Sequence, residues 1–316
     1  MILIIITEVS PMKSKDSIFK SKAGSTLLAV LACALWGSLF PCIKLSYAAF
    51  SIESEDIPSI LLFAGVRFLI CGAVLIAMAS GKEKKFRLPA RDALLPVFLI
   101  GMTSIVLHYA FTYVGLSMTE GSKTSILKQV GFLFITCFAF LFRKEDKFTF
   151  RKLIGGLLGF LSIIIVSLDG LEFHFGIGDL LILCASVCSV SSSIISKNAF
   201  DRLDPVHTLA YAQFYGGALL TIAGLILGGR IPHVSLSALL LLGYICASSV
   251  VAYALWNVLV KYNDLSKMSI IKFFEPLFGV IFSGLLLGEN IFRLTYLLSF
   301  IIIAAAVLII NVHREK

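Results

Sequence analysis

Residues 122–128 read Ser-Lys-Thr-Ser-Ile-Leu-Lys, and the pattern returns 144 residues later, where residues 266–272 read Ser-Lys-Met-Ser-Ile-Ile-Lys. Extended without a gap, residues 104–145 match residues 248–289 at 15 of 42 positions. A period of this length indicates a duplicated domain rather than a solenoid of short repeats. In an apolar chain, such a duplication is typical of membrane proteins built from two structural repeats.

The composition predicts a membrane protein. Of the 316 residues, 58% are hydrophobic and 15% are charged, and the mean hydropathy is +0.96. This leaves too little polar surface for a soluble globular protein. Because lipid satisfies no backbone polar group, the spans must be helices or a closed barrel, and apolar runs of about 20 residues favour helices. We therefore predict an all-α integral membrane protein.

Ten transmembrane helices account for the apolar stretches, with short connections between them. They are predicted near residues 24–45, 58–80, 91–116, 119–142, 150–168, 177–197, 205–228, 236–259, 266–288 and 291–312. Five spans per repeat is an odd number, so the second copy enters the membrane from the opposite side and the repeats are inverted. The predicted domains are an N-terminal segment (1–23), a first repeat (24–168) and a second repeat (177–312).

The net charge of +8 comes from 27 Lys and Arg residues against 19 Asp and Glu. Twenty of the 27 lie in the N-terminal segment, in alternate connections and at the C-terminus. The positive-inside rule therefore predicts a multi-pass protein of the cytoplasmic membrane with both termini in the cytoplasm. The lipid bilayer accounts for this charge without a nucleic acid partner. The apolar run after Met1 lacks the features of a signal peptide, and we expect Met12 to be the true start.

Lys128 and Lys272 lie deep in the fourth and ninth predicted spans. At 1.5 Å per residue, Lys128 is roughly 13 Å from the nearer surface of a ~30 Å hydrocarbon core. An unpaired charge at this depth costs at least ~3 kcal/mol on insertion scales, so each lysine needs a partner, a water-filled cavity or neutralisation. Two interpretations follow: the lysines face a substrate cavity, or they form structural polar contacts between the repeats.

Glu275 is the only carboxylate that we place well inside a span. It follows Lys272 by three residues and lies on the same helix face, and Pro276 weakens the helix backbone there. Lys128 has Gly131 at the matching position. Glu275 is therefore either a plain ion-pair partner of Lys272 or a functional group of the site, which binds substrate or couples transport to a proton.

Other polar and aromatic side chains inside the predicted spans could line a cavity or simply pack. His108 could titrate in the physiological range, or it could be a satisfied packing residue. Arg67 is expected to pair with helix ends or lipid headgroups rather than with substrate. The remaining candidates for the cavity are Tyr109, Tyr253, Trp256 and Asn257.

Sequence signatures of enzymes are missing. The chain has no His-Glu-x-x-His zinc helix, no phosphate-cradling Gly-x-x-x-x-Gly-Lys loop and no Gly-x-Ser-x-Gly nucleophile elbow. We therefore predict no catalytic residues, no metal site and no cofactor.

Several short motifs resemble the drug/metabolite transporter superfamily, and within it the ten-helix permeases with two EamA-type repeats. The motifs are Trp36-Gly37-Ser38 ending at Lys44, Arg67-Phe68, the polar stretch Gly121–Ser125, Glu275-Pro276, and Leu-Leu-Leu-Gly-Glu at 285–289. The resemblance covers residues 24–312. It implies peripheral fifth and tenth helices, a central cavity among the others, and transport by alternating access, commonly export of amino acids or other small metabolites.

The lysines depart from this pattern, since many amino-acid exporters are expected to have neutral residues there. Lys128 and Lys272 are similar in position to the phosphate-binding lysines of the sugar-phosphate translocators, which implies an anionic substrate. We predict a secondary transporter, an exporter of a small polar metabolite, either an amino acid or an organic or phosphorylated anion. A passive anion channel and a non-transporting membrane subunit are the alternatives. The coupling ion, a proton or counter-ion, and the oligomeric state stay open.

Overall fold

The structure is a computed structural model that describes residues 18–19, 21–83, 91–138, 149–166, 168–169, 172–200, 203, 205–263, 271–272 and 274–311. The predicted N-terminal segment 1–23 lies mostly outside the described residues. Met1 and Met12 both fall in this part, so the prediction that Met12 is the true start is not tested.

The described residues form ten successive helices, close to the ten stretches predicted from the sequence. They are α1 (Lys22–Ala49), α2 (Ile57–Glu83), α3 (Leu94–Met118), α4 (Gly121–Phe138), α5 (Phe150–Val166), α6 (Ile177–Phe200), α7 (Pro205–Ile226), α8 (Leu236–Tyr262), α9 (Phe274–Leu287) and α10 (Leu294–Asn311). Between α5 and α6, two-residue strands β1 (Leu168–Asp169) and β2 (Glu172–Phe173) pair antiparallel. The helical fold is confirmed, with this small hairpin as an addition.

The described helices suit a membrane. By length and composition, α1, α2, α3, α7 and α8 each contain a stretch long and apolar enough to cross one. Helices α5, α6, α9 and α10 contain shorter apolar stretches of 10–17 residues. This distribution agrees with an integral membrane protein.

The helix ends follow local chemistry. The Ser21 hydroxyl caps α1 by accepting a hydrogen bond from the Gly24 amide at 3.0 Å. Pro205 opens α7, at a position where its missing N–H costs nothing. Gly228 and Gly288 follow the ends of α7 and α9 with φ angles of 89° and 68°, in the left-handed region that favours glycine.

The middle of α3 departs from a regular α-helix. Residues Leu94–Gly101 and His108–Met118 are α-helical, but Met102–Leu107 form a π-helix. In this wider turn the Ser104 hydroxyl donates to the Ile100 carbonyl at 2.6 Å. Short π-helical segments are frequent at functional sites, and this one ends where His108 begins.

The packing of the helices is symmetric between the two halves of the chain. If each of α1–α5 is replaced by its equivalent among α6–α10, and the reverse, the same helix pairs are in contact. Helix α2 packs against α7, α4 against α9, and α5 against α10. Helix α1 packs against α8 and α9, just as α6 packs against α3 and α4. Both halves of the chain therefore contribute to the centre of the bundle.

Helices α2 and α7 run antiparallel with their backbones in contact. A Cβ atom placed on Gly65 would lie 2.3 Å from the backbone nitrogen of Thr221, and one on Gly217 would lie 2.3 Å from that of Leu69. Glycine at these positions leaves no side chain between the helices, which is how small residues let membrane helices approach closely.

The turn between α3 and α4 is tied to α6 and α10. Asp179, in the first turn of α6, accepts hydrogen bonds from the Thr119 hydroxyl at 2.9 Å and the Lys123 ammonium at 2.8 Å. Glu120 forms an ion pair with Arg293 at 3.0 Å, just before α10 begins. These contacts fix the turn against two other helices.

Glu289, just after α9, caps the start of α4. Its carboxylate accepts hydrogen bonds from the backbone amides of Gly121 and Ser122 at 2.8 and 2.9 Å, and from the Ser122 hydroxyl at 2.6 Å. The Lys44 ammonium lies 3.8 Å from the same carboxylate. A carboxylate at a helix N-terminus satisfies free amides and complements the helix dipole.

Candidate functional site

The centre of the bundle is built on one face of α1. Trp36 and Phe40 are four residues apart, so they are neighbours on this face with Cβ atoms roughly 6 Å apart. The Lys272 Nζ lies 4.1 Å from the centroid of the Trp36 ring, and the Lys128 Nζ lies 5.6 Å from that of Phe40. Equivalent lysines of the two repeats therefore lie over successive aromatic residues of one helix.

Lys272 lies between two indole rings and a carboxylate. Its Nζ is 4.7 Å from the centroid of Trp256 as well, and the centroids of the two indoles are 5.4 Å apart. The ion pair expected with Glu275 forms, with Nζ 3.6 Å from Oε2. The side chains of Lys272 and Glu275 keep 29% and 20% of their surface exposed, so the pair remains accessible. Cation–π attraction and the ion pair together hold the ammonium.

Lys272 lies at a break in the ninth helical segment. Helix α9 begins at Phe274, and Lys272 lies in a turn before it. Pro276 explains the break, because in a continuous helix its ring would collide with the carbonyl group of residue 272. The span predicted over 266–288 is therefore interrupted where the sequence expects Pro276 to weaken the helix, and residues 264–270 and 273 lie outside the described part of the chain. Interrupted helices often form binding sites in transporters.

Lys128 is held by a neutral acceptor rather than by a carboxylate. Its Nζ lies 3.4 Å from the Nε2 of His108, whose Nδ1 lies 2.6 Å from the Ala185 carbonyl oxygen of α6. A carbonyl only accepts, so Nδ1 carries the proton and Nε2 offers its lone pair to the ammonium. The buried His108 therefore packs against α6 and contacts Lys128.

A pair of tyrosines links the surroundings of the two lysines. The hydroxyl oxygens of Tyr109 and Tyr253, equivalent residues of the repeats, lie 3.5 Å apart. The Tyr253 ring packs edge-on against Trp36 at 5.5 Å, and the Tyr109 centroid lies 5.9 Å from the Lys128 Nζ. Asn257 lies on α8, but its side chain is outside the described part of the chain. The structure therefore brings seven of the eight candidate side chains into one continuous site.

Arg67 is buried beside this site, not at helix ends or lipid headgroups as the sequence suggested. The residue is 1% exposed, and its guanidinium donates hydrogen bonds to the Tyr113 hydroxyl and the Ser249 hydroxyl. It lies 4.7 Å from the centroid of Phe68 and 5.9 Å from that of Tyr109. Among the described residues, no carboxylate forms an ion pair with Arg67.

Sequence reasoning missed Trp36 and Phe40 as parts of the site. In the sequence both lie within an apolar span, and Trp36 stands out only as part of a family motif. Their spacing of four residues was the available signal, since it places two aromatic rings on one helix face.

Curated relatives cover nearly the whole chain. An uncharacterized transporter of Bacillus subtilis, YvbV, is 26% identical over 302 residues, which are 93% of this chain and 93% of the relative. The uncharacterized inner membrane transporter YedA of Escherichia coli is 27% identical over 283 residues, 87% of each chain. An uncharacterized transporter of Archaeoglobus fulgidus is 26% identical over 272 residues, 84% of this chain and 89% of the relative.

A known crystal structure has the same fold, with a TM-score of 0.63 at 18% sequence identity, covering 94% of this chain and 100% of the other. The model of the EamA-like transporter family matches this chain twice, over residues 24–168 and 176–311. These matches cover both halves of the helical bundle. The chain therefore belongs to the EamA-like transporter family and is an integral membrane transporter.

Proposed function

We propose that the protein is a secondary transporter that exports a small polar metabolite, either an amino acid or an organic or phosphorylated anion. One observation carries the proposal: Lys128 and Lys272, equivalent residues of the two repeats, lie over adjacent aromatic residues of α1. Both keep accessible surface at the centre of an apolar bundle. Charged side chains in such a position are costly and are usually retained for function.

The proposed architecture has ten transmembrane helices in two inverted repeats, 24–168 and 177–312, with both termini in the cytoplasm. Equivalent helices of inverted repeats run in opposite directions. The antiparallel contact of α2 with α7 and the interchangeable helix pairs support this arrangement. Export and the position of the termini rest on the family resemblance and the positive charges of alternate connections.

In the proposed cycle, the repeats rock around the central site by alternating access. Lys128 and Lys272 bind the negative group of the substrate, and Glu275 either competes for Lys272 or carries the coupling proton. The proposed cavity lining includes His108, Tyr109, Tyr253 and Trp256, and Asn257 stays a candidate from the sequence alone. No step needs a covalent intermediate or a cofactor, so the protein acts as a carrier and not as an enzyme.

Counterflow in proteoliposomes tests this proposal. The purified protein is reconstituted, loaded in turn with amino acids, organic acids and sugar phosphates, and assayed for exchange with the labelled compound. We expect saturable exchange that is lost in Lys128→Gln and Lys272→Gln and retained in Arg151→Gln, which removes an exposed charge from α5.

The alternatives give different results in the same assay. Flux that is linear in the gradient, without saturation or counterflow, would indicate a channel. No flux with any compound would indicate a non-transporting subunit. Wild-type exchange by both lysine variants would refute their role in binding. Uptake into inside-out membrane vesicles, compared with right-side-out vesicles, tests the export direction.

A further inference from the structure

The central site contains more positive than negative charge. Arg67, Lys128 and Lys272 lie in or beside it, and Glu275 is the only carboxylate that the sequence places well inside a span. Glu275 is already engaged by Lys272 at 3.6 Å. One carboxylate against three cations leaves two positive charges in excess in the site.

The direct contacts of Lys128 and Arg67 are with neutral groups. Lys128 uses the lone pair of His108 Nε2, and Arg67 donates to hydroxyl groups while its buried Nε has no partner in the described part of the structure. Buried at 1% exposure, Arg67 cannot carry its charge to water. Buried charges without counter-charges are strongly unfavourable in a low-dielectric interior.

Both cations flank the same ring. The Lys128 Nζ and the Arg67 Cζ each lie 5.9 Å from the centroid of Tyr109. A negatively charged group that balances both cations would therefore lie near Tyr109. Lys128, which keeps accessible surface, can contact a ligand, whereas Arg67 must act through its field and through the tyrosines.

We propose that the transported substrate binds as a dianion, a dicarboxylate or a phosphate monoester, whose two charges balance Lys128 and Arg67. This rests on the proposed transport function and narrows its substrate class. Lys128 is the contact residue, and Arg67 is a positioning residue that sets the charge preference. An amino acid zwitterion would leave the excess charge of the site unchanged.

Pairs of ligands of similar shape and different charge test this proposal. At pH 7.5, binding to the purified protein is measured by thermal shift for succinate and succinamate, and for glycerol 3-phosphate and its methyl diester. We expect each dianion to bind roughly tenfold or more tightly than its monoanionic partner, which corresponds to about 1.4 kcal/mol. The same measurement on dicarboxylates of three to six carbons and on phosphate monoesters identifies which class of dianion binds more tightly.

Charge variants separate the role of Arg67 from a structural one. Arg67→Gln should lower the preference for dianion over monoanion, whereas a purely structural residue would weaken both ligands equally and leave the ratio unchanged. Glu275→Gln, which removes the one negative charge, should keep or strengthen dianion binding. If Arg67→Gln fails to fold, Glu275→Gln still decides: weaker binding of the dianions there would overturn the proposal.

The outcomes distinguish this inference from the transport function. Saturable exchange of succinamate or of neutral amino acids, at affinities equal to those of the dianions, would overturn the dianion proposal and leave the transporter. Absence of saturable exchange and of ligand-induced stabilisation with every class of compound would overturn both.

Discussion

The two equivalent lysines have different partners, and His108 is the reason. It donates to the Ala185 carbonyl and so aims its free lone pair at Lys128, while the second repeat has Ala252 at the matching position. Lys272 relies instead on Glu275 and two indoles. Lys128 and Lys272 occupy equivalent positions of the two repeats, but their ammonium groups therefore have different partners.

Replacing His108 by alanine should weaken ligand binding at Lys128. The ammonium would lose its acceptor, and a hydrogen bond that involves a charged group is worth about 1.5–3 kcal/mol. The measurement is a thermal-shift titration with the best ligand of the succinate and glycerol 3-phosphate series. We expect the ligand concentration that gives half-maximal stabilisation to rise about tenfold or more in His108→Ala. His108→Gln, which keeps an acceptor, should recover part of the loss. Equal binding by wild type and His108→Ala would contradict this role.

At the scale of helices, Gly37 sets the distance between α1 and α9. A Cβ at this position would lie 2.7 Å from the Phe278 Cβ and 2.8 Å from both the Glu275 carbonyl oxygen and the Gly279 amide nitrogen. These are rigid atoms, so Gly37→Ala must displace α9 and with it Glu275. Overpacking of this kind costs about 1–3 kcal/mol, which a lowered melting temperature should show.

Gly243 in α8 is the matched control for Gly37. A Cβ there has no neighbour within 4 Å, so Gly243→Ala should be neutral or should stabilise its helix by up to about 1 kcal/mol. Equal melting temperatures for both alanine variants would show that the contact between α1 and α9 is not as close as described.

The cap supplied by Glu289 joins the end of α9 to the start of α4. Glu289→Ala removes the acceptor of two backbone amides and one hydroxyl, and we expect a loss of about 1–3 kcal/mol in stability. Glu289→Gln should lose less, because it keeps one acceptor oxygen. Glu53→Ala, at an exposed carboxylate between α1 and α2, should leave the melting temperature unchanged. A Glu289→Ala variant as stable as Glu53→Ala would argue against the cap.

At the scale of the whole molecule, the distribution of charge predicts the orientation. An epitope tag at the C-terminus should resist protease in intact cells and be cleaved after permeabilisation. The same tag inserted in the 227–235 connection should be cleaved in intact cells. The reverse pattern would invert the topology, and cleavage of both tags in intact cells would contradict the three spans predicted between the 227–235 connection and the C-terminus.

Much of this molecule could be predicted from its sequence, because apolar periodicity and the duplication are strong signals. The positions of the ten helices and the pairing of Lys272 with Glu275 depend on local spacing, so the sequence predicts both. Partners of Arg67 and Lys128 come from helices distant in sequence, and spacing along one chain does not reveal them. The break before α9 had a local cause in Pro276, but its extent depends on the surrounding packing.

Trp36 and Trp256, the only tryptophans among the 316 residues, are the two indole rings that the Lys272 ammonium contacts. Tryptophan fluorescence, excited selectively at wavelengths that tyrosine does not absorb, therefore comes from this one site without any introduced label. We expect Lys272→Gln to change the indole emission and Lys128→Gln to leave it nearly unchanged. A ligand that draws the Lys272 ammonium away should change the emission in proportion to occupancy, so an ordinary titration would read out the movement. Identical spectra for wild type and Lys272→Gln would show that the ammonium does not lie between the indoles.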